Sequence, residues 1–264
     1  MNGVDFVRTT YWYDSYTDYW RLVQLSHNHI ISTAAMEPDN PARTYIITML
    51  NGQWGDGWPD AKARIIFWNL EWLDDTPEIP GVSEVWASDK WYAEKTGARF
   101  VPLGSHPNLI KSNFREDDYS WDVAALAYMG PQRRNHIETK LKEAGITLAP
   151  NGWGIARDEI LSRSRLMLNV HQHNRFPCVA AQRYAIAASA MVPMICEWTH
   201  DSTPFVPGKD YVVTTYDDIV ETVQEYLDCD NSALVENMWY RGCEEYRFDL
   251  NIEKALEGEL CESY

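Results

Sequence analysis

After Asp122 the chain runs through Val123-Ala124-Ala125-Leu126-Ala127-Tyr128-Met129 without a charge and turns at Gly130-Pro131. An uninterrupted apolar run ended by a turn predicts a strand buried on both faces of a parallel sheet. Residues 135–144 switch to helical spacing, with Ile137 and Leu141 four apart and Gly145 as the stop. The same alternation continues. Strands are predicted at 146–149, 166–171, 192–196 and 211–214, and helices at 156–164, 179–190 and 217–227. Strands alternating with helices of about 10 residues imply a parallel sheet with right-handed crossovers, whose ligands bind beyond the carboxyl ends of the strands.

The N-terminal half is less regular. Strands are predicted at 4–10, 45–50, 64–68, 83–87 and 99–102, and helices at 91–96 and in part of 15–25. The polar stretch 108–121, with Arg115-Glu116-Asp117-Asp118, reads as a linker. The expected architecture is α/β with two domains, 1–115 and 116–264.

Charge sharpens this picture. The 264 residues carry a formal net charge of −16, yet between Gly130 and Ala185 nine basic side chains face four acidic ones. Seven of the nine are arginines, whose fork geometry suits phosphate or carboxylate. A basic island in an acidic chain points to a small anionic ligand, and an acidic surface disfavours broad binding to duplex DNA. No apolar run is long enough for a membrane span, and Met1-Asn2-Gly3-Val4-Asp5 has no signal-peptide pattern. The expectation is a cytoplasmic protein. The five cysteines are well separated and form no CxxC, so neither a disulfide framework nor a zinc site is expected.

Gly130-Pro131-Gln132-Arg133-Arg134 sits where a strand ends and a helix opens, a place where unpaired N–H groups attract phosphate. It reads as an anion site or as a turn with solvated arginines. No GxGxxG follows a strand and no GxxxxGK[ST] occurs, which disfavours dinucleotide enzymes and P-loop NTPases. Asn169-Val170-His171-Gln172-His173-Asn174-Arg175 places a polar cluster at the end of a core strand. His171 reads as a ligand contact or a satisfied structural histidine, and a metal is the weaker reading. Arg183, on an apolar helix, needs an anionic partner, either a diphosphate or Glu197. Trp54 and Trp58 in Gly52–Trp58 are candidates for stacking on an acceptor, or anchors of their loop.

The order strand–Gly130–Arg133-Arg134–helix, then Trp153-Gly154, Ser164 to His171, and Gln182-Arg183-Tyr184…Val192-Pro193-Met194-Ile195 resembles the donor domain of GT-B glycosyltransferases. The nearest shape is the CgeB-like and group 1 branch, including short bacteriophage versions. Trp68-Asn69-Leu70-Glu71 and Trp86-Ala87-Ser88-Asp89 to Val101-Pro102-Leu103-Gly104 resemble its acceptor side.

The resemblance implies two Rossmann-like domains, the N-terminal one reduced. It implies transfer of a sugar from a nucleoside-diphosphate donor, UDP first, to an acceptor hydroxyl, with no cofactor and no essential metal. Gly130, Arg133, Arg134, Trp153, Gly154, Asn169, His171, Arg175, Arg183 and Glu197 would then line the donor site. Asp14, with Glu71 second, would be the catalytic carboxylate. The family's usual donor-binding glutamate on the Arg183 helix is missing, since Ala180, Ala181, Ala185 and Ile186 occupy its places, so either ribose recognition differs or a residue such as Glu197 substitutes. The expected acceptor is a protein or small-molecule hydroxyl, with a modified DNA base as the other candidate. The rivals are an epimerase or hydrolase on the same fold and an inactive module that binds nucleotides or DNA.

Overall fold

A computed structural model describes residues 4–8, 17–26, 28–48, 57–70, 78–110, 119–125, 132–172 and 180–259. The chain divides into two compact units. One is formed by the chain up to Leu103 with Ala180–Gln182 and the segment from Phe248, the other by Gly104–Val179 and Arg183–Arg247. The expected boundary near residue 115 lies outside the described residues. The division falls earlier, and the C-terminal segment returns to the first unit rather than staying with the second.

The first unit holds a six-stranded, all-parallel sheet in the order β2-β1-β3-β4-β5-β6. The strands are β1 (Val4–Arg8), β2 (His29–Ser32), β3 (Thr44–Thr48), β4 (Arg64–Asn69), β5 (Glu84–Ala87) and β6 (Arg99–Phe100). β4 is central, and Ile65, Ile66, Phe67 and Trp68 on both its faces are buried. Helices α1 (Thr17–Leu25) and α2 (Lys90–Thr96) belong to this unit. Asp89 caps α2 by accepting from the Tyr92 N–H at 2.8 Å, and Gly97 ends it at a φ of 72°, which favours glycine. The N-terminal unit thus carries the larger of the two sheets.

The second unit has a four-stranded parallel sheet, β10-β9-β8-β7. Its strands are β7 (Trp121–Ala124), β8 (Ser164–Asn169), β9 (Met194–Glu197) and β10 (Val212–Thr214). The strand expected at 146–149 appears as a single parallel bridge, Val123 to Leu148, on the outer side of β7. β7 therefore has the 146–149 segment on one side and β8 on the other, which makes the β7–β8 crevice the switch point of the topology. Helices α3 (Gln132–Glu143), α4 (Gly154–Ser162), α5 (Ala181–Ala190), α6 (Ile219–Leu227) and α7 (Ser232–Tyr240) connect or flank these strands. Ile137 and Leu141, the predicted apolar pair of α3, pack with Val123, Leu166, Leu168, Ile195, Ile219 and Val223.

Candidate functional site

The polar groups of the second unit meet at the carboxyl ends of β8 and β9, beside the start of α3. Arg133, in the first turn of α3, reaches across the switch point to Glu197 at the end of β9. Its two Nη groups donate to the two carboxylate oxygens, the Nη1 bond to Oε2 being 2.6 Å. Nη1 also donates to the His171 carbonyl at 3.2 Å. The guanidinium lies 3.8 Å above the Tyr216 ring, whose hydroxyl donates to the Arg133 carbonyl at 2.8 Å. Glu197 is buried, and its Oε2 accepts a further bond from the His171 N–H at 3.0 Å.

Arg134 is buried and donates from Nε to the Val170 carbonyl at 2.9 Å. Burial, with Arg183 and Arg133 nearby, pulls its guanidinium down to about 10 against a partial offset from Glu197. Among the described residues, the guanidiniums of Arg133 and Arg183 and the carboxylate of Glu197 therefore all act on Arg134.

The network continues inward. Arg183 Nη1 donates to Asn169 Oδ1, and Asn169 Nδ2 donates to Cys196 Sγ at 3.0 Å. Cys196 also receives the Tyr184 hydroxyl at 3.3 Å, and burial pushes its thiol up to about 11, so it stays a protonated packing group. His171 is buried with its Nε2 at 2.8 Å from the Trp198 carbonyl. A carbonyl only accepts, so Nε2 carries the proton. Burial lowers the His171 pKa below its ordinary 6.5, so the ring is neutral at pH 7 and its Nδ1 offers a lone pair.

The structure thus brings Arg133, Arg134, Asn169, His171, Arg183 and Glu197 into one cluster. It alters one pairing: Glu197 is engaged by Arg133, while Arg183 bonds Asn169. Trp153 and Gly154 open α4 on the loop after 146–149, with the Trp153 side chain exposed. Asp14, Trp54, Glu71, Gly130 and Arg175 lie outside the described residues. Trp58 is half-buried and packs against the Val7, Tyr45, Ile47, Ala63 and Ile65 core, which makes it an anchor of its loop rather than an open stacking platform. Its N–H donates to the Pro80 carbonyl at 2.7 Å, and a Cβ on Gly81 would sit 1.8 Å from the Trp58 carbonyl oxygen. Tyr216 and Trp198 were not anticipated from the sequence. The available signal was positional, since each is an aromatic just beyond a predicted strand.

The two parallel α/β sheets match those of solved GT-B glycosyltransferase structures, so the fold is of the GT-B type. No family model matches the chain. A stretch of 126 residues is 29% identical to the uncharacterised protein L140 of Acanthamoeba polyphaga mimivirus, covering 45% of this chain and 40% of that protein. Among solved structures, AviGT4, a glycosyltransferase involved in avilamycin A biosynthesis, has a TM-score of 0.63 at 12% identity over 97% of this chain and 96% of that one. A DNA-modifying β-glucosyltransferase, solved with and without UDP-glucose, gives 0.58 at 9% identity over 98% and 99%. TarM gives 0.53 at 9% identity, and the match covers 90% of this chain but 57% of that one. At these identities the likeness is one of fold.

Proposed function

We propose that the protein is a glycosyltransferase of the CgeB-like and group 1 kind, moving a sugar from a UDP-sugar to an acceptor hydroxyl, with its donor site at the β8–β9 rim of the second unit. One observation carries this reading. Arg133 and Arg183 both act on the buried Arg134, and Glu197, paired with Arg133, stands with them at the carboxyl ends of a parallel sheet, next to its switch point. Like charges held together repel, and a diphosphate placed among them relieves that repulsion. As the glycosidic bond breaks, negative charge grows on the leaving diphosphate, and fixed guanidiniums stabilise it without reorganising. In this reading the arginines do the work that a divalent cation would otherwise do. The acceptor proton goes to a carboxylate of the N-terminal half, Asp14 first and Glu71 second. The acceptor is a protein or small-molecule hydroxyl.

The test is thermal unfolding with UDP, GDP, ADP and TDP, each with and without EDTA. At 100-fold over its dissociation constant, UDP should stabilise the protein by about 2.7 kcal/mol in both conditions. No shift with any nucleoside diphosphate would remove the donor site, and a shift abolished by EDTA would remove the metal-free mechanism. The absence of a glutamate on the Arg183 helix favours one second reading, a module that binds sugar nucleotides without turning them over. Saturable binding with no transfer or hydrolysis of a labelled donor would select it.

A further inference from the structure

Tyr216 stands two residues beyond β10, in the short loop that leads into α6. That loop is tied to the helix it precedes. Thr215 Oγ1 donates to Asp218 Oδ2 at 2.6 Å, the Thr214 and Thr222 hydroxyls lie 2.8 Å apart, and the Thr222 N–H donates to the Asp218 carbonyl at 2.9 Å. Tyr216 therefore leaves a fixed base. Its side chain is half-buried and packs partly against the apolar core that contains Val123 and Ile137. Packing against that core asks only for an apolar side chain, and it leaves the polar contacts of this one unexplained.

Those contacts converge on one residue. The Tyr216 hydroxyl donates to the Arg133 carbonyl at 2.8 Å, and the Arg133 guanidinium lies 3.8 Å from the ring centroid. One side chain thus grips both the backbone and the charged end of Arg133. His136, three residues further along α3, lies at 26° to the ring with centroids 6.4 Å apart. A guanidinium is planar, with five N–H donors around its edge. Glu197 and the His171 carbonyl take three of these donors, which fixes the edge. The tyrosine ring covers a face, which fixes the tilt of the plane. Among the described residues no partner takes the other two donors, and their direction is set by Glu197, His171 and Tyr216 together.

We propose that Tyr216 is a positioning residue of the donor site, its ring holding the Arg133 guanidinium in the plane from which the two remaining N–H groups meet the diphosphate. This rests on the donor site proposed above. A long side chain ordered in advance spares the ligand the entropy of ordering it. An aromatic ring suits the task because it attracts a cation through its face and brings no full charge of its own. A second carboxylate in its place would hold the guanidinium as well, and it would repel the diphosphate.

The test is isothermal titration of UDP, or of whichever nucleoside diphosphate gave the largest melting shift, into the wild type, Tyr216→Phe and Tyr216→Leu. The same titration is made into Arg133→Lys with and without Tyr216→Leu, because lysine keeps a cation for Glu197 but lacks the planar face. Tyr216→Leu should weaken binding about tenfold, and Tyr216→Phe, which keeps the ring, by no more than about threefold. In the Arg133→Lys background Tyr216→Leu should cost no more than about twofold, the mark of two residues that act through one another. A loss as large in that background as in the wild type would overturn the proposal, since the tyrosine would then act without the guanidinium. Wild-type affinity in Tyr216→Leu, equal losses in the Phe and Leu variants, or a Tyr216→Leu protein that melts far below the wild type would each overturn it too. A wild type that binds no nucleoside diphosphate would instead overturn the donor site itself.

Discussion

Arg183 is the side chain on which the donor site can be tested with least damage to the fold. It is only partly buried, and its Nη1 donates to the side-chain amide oxygen of Asn169, a neutral partner. Arg133 is different, since removing it would leave Glu197 buried with one N–H partner. Arg183→Ala should therefore weaken nucleoside-diphosphate binding by about 1.5–3 kcal/mol, the range of a hydrogen bond to a charged group, and leave the melting temperature of the free protein nearly unchanged. Titration calorimetry and a melt of the same sample check both halves. A variant that melts far lower, or binds as the wild type does, would make Arg183 structural. The need of this arginine for a partner was legible in the sequence, because a guanidinium on an apolar helix face demands one. Which partner it takes was not. That depends on register, which places Asn169 opposite Cys196 and sends Glu197 one residue further, into the reach of Arg133.

At the scale of elements, the C-terminal helix α8 (Phe248–Glu257) decides how the first unit closes. Phe248 is fully buried among Phe6, Tyr19 and Trp68, with the Trp68 ring stacked at 5.9 Å. Arg99 then donates to the Ala255 carbonyl at 2.5 Å and the Glu259 carbonyl at 2.6 Å, and Arg64 to the Leu256 carbonyl at 3.2 Å. Those carbonyls belong to the end of a helix, where intrahelical donors run out, so two arginines from β4 and β6 cap it. Asn251 adds a bond to the Pro102 carbonyl at 2.9 Å. Phe248→Ala removes a ring from a packed aromatic cluster and should cost about 3–5 kcal/mol, read as a lower midpoint in urea unfolding. A cost below 1 kcal/mol would mean that the helix is dispensable to the core. Phe248, Ile252 and Ala255 are spaced four and three apart, so the helix itself was within reach of a periodicity reading. Its destination was not, because nothing local in residues 248–257 says which of two sheets it will cover. The alternating elements of the second unit were legible for the opposite reason, since strand and helix there pack against near neighbours in sequence. The edge at 146–149 shortened to one bridge because an edge strand has pairing on one side only.

At the scale of the whole molecule, charge bears on the acceptor. The net charge is −16, and outside the Gly130–Ala185 island the chain carries −21. Much of the island is already committed. Arg133 pairs with Glu197, Arg157 with Asp158, Lys142 with Glu138 and Arg165 with Asp122, which is four of its nine basic side chains, and Arg134 and Arg183 belong to the proposed donor site. Binding duplex DNA depends on neutralising several phosphates at once, each adding about 0.9 to the salt slope, and few basic groups are left to do it. Stacking on an extruded base would have to overcome that repulsion as well as a few kcal/mol of unstacking, and Trp58, the described member of the aromatic loop, is tied into the core. The fold is shared with a DNA-modifying enzyme, but at 9% identity the fold carries no information about the acceptor. We therefore expect a labelled sugar nucleotide, supplied at about 0.15 M salt, to mark protein or simple glycosides in preference to hydroxymethylated duplex DNA. The assay offers all three acceptors in parallel and repeats the DNA arm at lower salt. Efficient labelling of DNA alone at the higher salt would reverse the assignment, and it would mean that a local surface around the acceptor site outweighs the net charge of the chain.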